Sequence, residues 1–445
     1  MYSERVQHFL DKKRINVGDE VRLIKDKKTY EGILMPRIEL GDKDCLVLKL
    51  RNGYNIGIKF ERNVKIEKLK GHKKLEKFPA RRFEQKPNLP KVSLLATGGT
   101  IASRIDYLTG GVKMAFKPEE FFFTVPELAD IITFKKIRLL SSLASEDLWY
   151  KNWQQMAEEA AKELNRGARG IIITHGTDTM HFSSAALSFM MKNLNKPIVF
   201  AGAQRSSDRG SSDTVMNLIC SAHVAGYSDF AEVGICMHAE SSDTFCFFTR
   251  GTKVRKCHTS RRDAFRPIND LPLAKVWPDG KIEIMNENYK KVSEGRIKAD
   301  IKFEPKVALL KAYPGSDPKL IDHLVKDGIK GIVIEGTGLG HVPTSTPEPE
   351  RSWVPHVKNA IDSNVPVVIT SQCIWGRVHP YVYRNLRILD STGVIWGEDM
   401  IPEVAYVKLG WVIAHTKNLK KIKEMMLTNY AGEISKRSDP RTFLY

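Results

Sequence analysis

Seven short apolar runs constrain the fold of this chain more than any other feature. Val92-Ser-Leu-Leu-Ala96, Ile171-Ile-Ile-Thr174, Ile198-Val-Phe-Ala201 and Val233-Gly-Ile-Cys-Met237 come first; Val307-Ala-Leu-Leu310, Gly331-Ile-Val-Ile334 and Val367-Val-Ile-Thr370 follow after a polar stretch. A strand without polar alternation is buried on both faces, which is the condition of a parallel sheet covered by helices. Helical periodicity fills the intervals. Trp153, Met156, Ala157, Ala160 and Leu164 share a face, as do Phe182, Ala186, Phe189 and Met190, with Asn193 and Leu194 one turn on. The charged segment around Asn286–Lys302 shows neither pattern. The expectation is an α/β protein: one unit over residues 91–285, a linker over 286–305, and a second, smaller unit over 306–445, both on parallel sheets. The chain has 445 residues, and single cores stop growing near ~250–300, so more than one domain is required.

The first ninety residues follow another grammar. Val17–Leu23, Tyr30–Met35, Cys45–Leu50 and Asn55–Phe60 read as strands, with turn signals at Lys25–Lys28, Gly41–Asp44 and Arg51-Asn-Gly-Tyr54. Such short strands in close succession suggest a small β-barrel-like domain over residues 1–85, with a basic linker running to residue 90. The chain's charge concentrates here. Of the net +18, residues 1–90 carry +10, from 23 basic and 13 acidic side chains. An excess of that sign attracts phosphate backbones or acidic surfaces, and a solvated lysine-rich face has the same composition.

The six cysteines (Cys45, Cys220, Cys236, Cys246, Cys257 and Cys373) include no C-x-x-C pair. Neither a disulfide framework nor a zinc knuckle is expected, and a reducing compartment fits. Met1–Lys13 has no apolar core for a signal sequence, and nothing approaches the ~18 apolar residues of a membrane span. A cytoplasmic location is the expectation.

Ligands of open α/β sheets bind beyond the carboxyl ends of the strands. Two polar clusters fall there: Thr97-Gly-Gly-Thr100 after Val92–Ala96, and Thr174-His-Gly-Thr177-Asp178-Thr179 after Ile171–Ile173. Their glycines permit tight turns that present amide N–H groups. Neither cluster continues into Gly-Lys-Ser/Thr, so a phosphate loop is disfavoured, and Glu335-Gly-Thr-Gly-Leu-Gly340 lacks the G-x-G-x-x-G frame. His175 and His181 are six apart, a spacing that splits them between helix faces and argues against a metal site. Threonines beside an acid point instead to a hydroxyl nucleophile, which needs a base held close; a lysine can serve. The plain structural alternative is that threonine and aspartate after a strand cap the next helix.

Leu94-Leu-Ala-Thr-Gly-Gly-Thr-Ile-Ala102 and Ile172-Ile-Thr-His-Gly-Thr-Asp-Thr-Met180 resemble the two signature motifs of the bacterial-type L-asparaginase/glutaminase family, and the resemblance runs from Lys91 to the C-terminus. It implies an asparaginase-like two-domain α/β fold with Thr100 as nucleophile on a side-chain carboxamide and Thr177 and Asp178 in the same pocket. Val254-Arg-Lys256 is similar to the segment bearing the family's lysine, so Lys256 would pair with Thr177, with Lys253 and Arg255 as close competitors. Tyr107 matches the tyrosine of a mobile lid. Ser145 and Glu146 match the pair that holds the substrate's α-amino and α-carboxyl groups. Asp178 suits the α-ammonium, and the turn amides around Gly99 or Gly176-Thr177 suit a developing oxyanion.

Residues 30–57 resemble the N-terminal barrel of the glutaminase subunits of archaeal glutamyl-tRNA(Gln) amidotransferases. This second resemblance implies hydrolysis of glutamine to glutamate and ammonia, with no cofactor held by this chain. The partner subunit GatE would bind Glu-tRNA(Gln), use ATP and Mg, and take up the ammonia. It also implies a homodimer core within a heterotetramer. Two other readings remain: a stand-alone cytosolic L-asparaginase/glutaminase with an incidental basic N-terminal domain, and an RNA-binding or scaffolding protein on a vestigial hydrolase fold.

Overall fold

The apolar runs become the middle of an eight-stranded sheet. Its spatial order is Thr133–Leu143, Lys91–Gly98, Gly170–Thr174, Ile198–Ala201, Val233–His238, Cys246–Arg250, Ala274–Val276 and Ile282–Ile284. The computed structural model describes residues 2–26, 28–35, 42–50, 55–61, 63–69, 86–98, 103–105, 112–114, 125–205 and 211–443. The first five strands pair in parallel and the last three antiparallel, so the sheet is mixed where a parallel one was expected. The cause is connection length. Only residues 239–245 separate Val233–His238 from Cys246–Arg250, room for a hairpin but not for a helical crossover of a dozen or more residues.

Successive isoleucines show the sheet covered on both faces. Ile171 and Ile173 pack with Trp153, Met156 and Phe189 from the helices Tyr150–Asn165 and Met180–Met190, while Ile172 packs with Leu218 and Ala222 of the helix Thr214–Tyr227. The helix expected to reach Leu194 stops at Met190. Met191–Lys192 leaves it to pair antiparallel with Lys298–Ala299, and Asn193 turns the chain with φ +57°. The segment 286–305 is thereby pinned to the larger unit.

The smaller sheet is parallel throughout, in the order Val307–Lys311, Gly331–Gly336, Val367–Ser371, Ile395–Trp396. The last strand, two residues long, gave no run to read in the sequence. The helix Pro402–Ile413 buries every residue except Tyr406. A helix buried all round lies between layers, and this one shares a single cluster with Ile173 and Phe189 of the larger unit and with Val333 and Val368 of the smaller. Gly410 lets it sit close, since a Cβ there would come 2.4 Å from Phe303.

At the N-terminus, five antiparallel strands run in the order Asn55–Lys59, Cys45–Leu50, Lys28–Leu34, Glu20–Lys25, Lys65–Lys68. Among the described residues no pairing closes this sheet into the expected barrel. A helix the sequence reading passed over, Glu4–Lys12, is capped by Ser3 accepting from the Val6 amide, and buries Val6 and Leu10 against Leu23, Leu46 and Ile66. Two buried positions in nine residues are too few to display a period. The Arg51–Tyr54 turn, Gly41 and most of the basic linker (residues 70–85) lie outside the described residues. Among those described, no helix is long and apolar enough to cross a membrane.

Candidate active site

Three strands end side by side at one end of the larger sheet. Ala96 lies opposite Thr174 on one neighbour and Leu139 on the other, so the strand ends at Gly98, Leu143 and Thr174 lie together. The chain passes from Lys91–Gly98 to the strand on one side, then crosses back to Gly170–Thr174 on the other. That reversal is where open α/β sheets leave a crevice for ligands. Thr100 and Tyr107 fall outside the described residues, as does Gly99. Thr97 does not: its hydroxyl is buried and donates to the Thr174 carbonyl at 2.9 Å, while Ser141 Oγ donates to the Thr97 carbonyl at 2.9 Å. Thr97 thus ties adjacent strands together.

The second cluster receives a lysine from outside the sheet. Val254–Lys256 is a short strand, not a loop, and pairs antiparallel with Phe265–Pro267. Lys256 Nζ donates to Thr177 Oγ1 at 2.9 Å and to Asp178 Oδ1 at 2.6 Å. The lysine side chain is 9% exposed and the Asp178 side chain 65%, so the pair stands at the mouth of the site. The competing cations are engaged elsewhere: Lys253 with Asp399 at 2.6 Å, and Arg255 with Glu403 at 2.8 Å. Of the three, Lys256 alone is recorded at the threonine. A primary amine in contact with a buried hydroxyl is the geometry that general-base activation of an alcohol requires.

The backbone of this loop is held from below by neutral polar groups. His175 is fully buried, with Nδ1 2.6 Å from the Gly176 carbonyl and Nε2 2.8 Å from Ser183 Oγ. Trp153 Nε1 donates to the same Ser183 oxygen at 2.9 Å, which leaves the serine O–H to donate to Nε2 and the Nδ1 proton to donate to Gly176. Burial, with a smaller push from His181, lowers the His175 pKa to about 4 despite the Gly176 carbonyl, which acts to raise it.

A histidine kept neutral in the folded state and basic when unfolded adds stability above its unfolded pKa, ~6.5, and loses it as pH falls through about 4. At most about 3 kcal/mol is at stake. Urea unfolding between pH 7 and pH 4 is therefore expected to weaken steadily, and His175→Asn, which keeps an N–H but cannot titrate, is expected to flatten that slope. An unchanged slope in the variant would assign the acid sensitivity to other groups.

Ser145 forms the wall behind this loop. It is buried, its carbonyl accepts from Thr179 Oγ1 at 2.6 Å, and a Cβ at Gly176 would lie 2.8 Å from the serine Cβ. Glu146 is exposed on the same 3₁₀ turn, Ser145–Asp147. The reading from sequence missed Asp399 and Glu403, which hold the neighbours of Lys256. Among the described residues, no group of three or more His, Cys, Asp or Glu could hold a metal ion.

The comparisons with known proteins agree with this architecture. The family described as Asparaginase, N-terminal, matches residues 91–290, the Glutaminase/Asparaginase C-terminal domain matches 306–426, and the GatD N-terminal domain matches 15–69. The glutamyl-tRNA(Gln) amidotransferase D subunit of Pyrococcus furiosus is 54% identical over 448 residues, covering 99% of this chain and 100% of the relative. Its counterpart of the same name from Methanothermobacter thermautotrophicus is 45% identical over 438 residues, covering 98% of each. Among solved structures, the thermostable L-asparaginase from Thermococcus kodakarensis superimposes with a TM-score of 0.69 at 28% identity, over 78% of this chain and 100% of that one. L-asparaginase I from Vibrio cholerae gives 0.66 at 27%, over 78% and 99%. The chain belongs to the family of glutamyl-tRNA(Gln) amidotransferase D subunits, in which an asparaginase-type α/β fold carries an additional N-terminal domain.

Proposed function

We propose that this chain is the glutamine-hydrolysing subunit of a tRNA-dependent amidotransferase. It releases ammonia that a partner subunit, GatE, uses with ATP and Mg to convert Glu-tRNA(Gln) to Gln-tRNA(Gln). The observation that carries the proposal is the contact of Lys256 Nζ with Thr177 Oγ1 and Asp178 Oδ1 at the strand ends where the chain reverses across the sheet. Thr100 attacks the carboxamide carbon of glutamine, its proton passes by way of Thr177 to Lys256 and is returned to the amide nitrogen, and the C–N bond of the tetrahedral intermediate breaks to release ammonia. Water then releases glutamate from the acyl-threonine. Asp178, Ser145 and Glu146 receive the amino-acid end of the substrate, and Tyr107 closes over it. Backbone amides of the glycine turns stabilise the oxyanion, an effect worth about 3 kcal/mol per donor.

The test is hydrolysis of glutamine and asparagine by the purified chain, alone and with the partner subunit and Glu-tRNA(Gln). The proposal expects glutamine hydrolysis that rises when partner and tRNA are both present. Rapid asparagine hydrolysis by the chain alone, unaffected by either, would support a stand-alone asparaginase instead.

The N-terminal domain serves assembly in this proposal. Its core is its own, built from residues between Tyr2 and Ile66, and its +10 charge over residues 1–90 suits an acidic face of the partner. Removal of residues 1–85 is expected to leave glutamine hydrolysis intact while weakening amidation. Tight, salt-sensitive retardation of tRNA by the chain without its partner would assign the charge to RNA phosphates.

A further inference from the structure

Lys256 has to meet Thr177 at hydrogen-bond distance, yet its strand is three residues long and pairs only with Phe265–Pro267, outside the eight-stranded sheet. Side chains alternate along a strand, so Arg255 leaves the backbone on the side away from Lys256, and Lys253 lies in the bend just before that strand. They meet two carboxylates that arrive from the smaller α/β unit. Lys253 Nζ, fully buried, lies 2.6 Å from Asp399 Oδ2, and Arg255 Nη2 lies 2.8 Å from Glu403 Oε1.

Asp399 is itself fixed, accepting from the Ser435 amide at 2.9 Å, with Arg377 Nη2 at 3.8 Å. Glu403 Oε1 also stands 3.9 Å from Nε2 of His181, the second residue of the helix that begins directly after Thr177-Asp178-Thr179. One carboxylate thus touches both pieces of chain whose separation decides whether amine and hydroxyl meet. Burial acts to raise the Glu403 carboxyl, but the nearby His181 ring and the Arg255 charge outweigh it and hold it below the usual range, so it is anionic at neutral pH.

We infer that Glu403, with Asp399 beside it, is a positioning residue for the proton transfer, so that the smaller α/β unit sets the distance between Lys256 and Thr177. The inference deepens the proposed function and rests on Lys256 as proton acceptor. A buried ion pair can equally be a feature of folding alone, and the two roles separate in a double-variant comparison.

On the full-length chain, kcat and KM for glutamine hydrolysis are measured for Glu403→Gln, Lys256→Ala and the pair combined. Glu403→Gln keeps the shape and removes the charge. It is expected to lower kcat by roughly 10- to 100-fold with KM within about twofold, and Glu403→Asp to recover part of the loss. In the Lys256→Ala background the same change is expected to alter the residual kcat by less than about twofold, because the group being positioned is gone. An equal drop in both backgrounds overturns the inference and leaves Glu403 a folding residue. Unimpaired hydrolysis by Lys256→Ala overturns the role of Lys256 itself, and the inference with it. If Glu403→Gln does not fold, Arg255→Gln breaks the same pair from its more exposed side and carries the same comparison.

Discussion

Lys256→Arg is expected to lower glutamine hydrolysis by the ~10²–10⁴ typical of a lost general base. The substitution keeps the positive charge beside Asp178 and nearly the same reach, so a purely electrostatic role would survive it. It removes the group that can give up and take back a proton, since guanidinium stays protonated throughout the working range. The two contacts at 2.9 and 2.6 Å are the physical basis for choosing this lysine over its neighbours. Lys253→Arg and Arg255→Lys provide the contrast. Their losses are expected to be smaller and to appear partly as lower stability, because those side chains meet Asp399 and Glu403 rather than the threonine. Initial rates across saturating glutamine decide the matter. A Lys256→Arg enzyme with unaltered kcat excludes the amine as acceptor.

The larger effect is expected at Thr100. Thr100→Ala deletes the oxygen proposed to form the acyl bond, so glutamine-dependent amidation is expected to fall to the background set by the remaining site, a loss of at least ~10³. Amidation supported by ammonium chloride is expected to persist in the complex, because the proposed partner would accept ammonia from any source. The control is Thr97→Ala. That hydroxyl is buried and spent on the Thr174 carbonyl, so its removal is expected to cost about 1 kcal/mol of stability and leave chemistry recognisable. If Thr97→Ala abolishes hydrolysis and Thr100→Ala does not, the nucleophile is the other threonine of the turn.

Most of the fold was legible because its signals are local. Seven of the parallel strands announce themselves as apolar runs, and Trp153, Met156, Ala157, Ala160 and Leu164 keep the spacing of one buried helix face. The antiparallel half of the large sheet was harder to see, since Ala274–Val276 and Ile282–Ile284 are three residues each and show no run. Ile395–Trp396 is shorter still. Closure of the N-terminal sheet into a barrel was an inference from strand density, and density does not specify which edges meet. At the site, the loop after Ile173 could be placed from its glycine and the strand before it, while Thr100 and Tyr107 lie outside the described residues. The choice among Lys253, Arg255 and Lys256 could not, because three adjacent cations differ only in what each one touches. Asp399 and Glu403 gave no signal, being ordinary acids before and within an apolar helix. Their meaning comes from contacts across 146 residues of sequence in the case of Lys253 and Asp399.

That separation bears on the order of synthesis. A ribosome completes Thr177 and Lys256 well before Asp399, Glu403 and Ser435 leave the exit tunnel, and N-terminal units fold first. The nascent larger unit therefore carries both Lys256 and Thr177 and none of the carboxylates that pair with Lys253 and Arg255. Two further anchors arrive in the same stretch of chain: Thr252 Oγ1 donates to the Ala431 carbonyl at 2.9 Å, and Lys408 is sealed by Glu433 at 2.6 Å. Translation thus finishes the site from its far end, and a prematurely terminated chain retains the motif threonines and the lysine without the carboxylates that engage the residues beside that lysine.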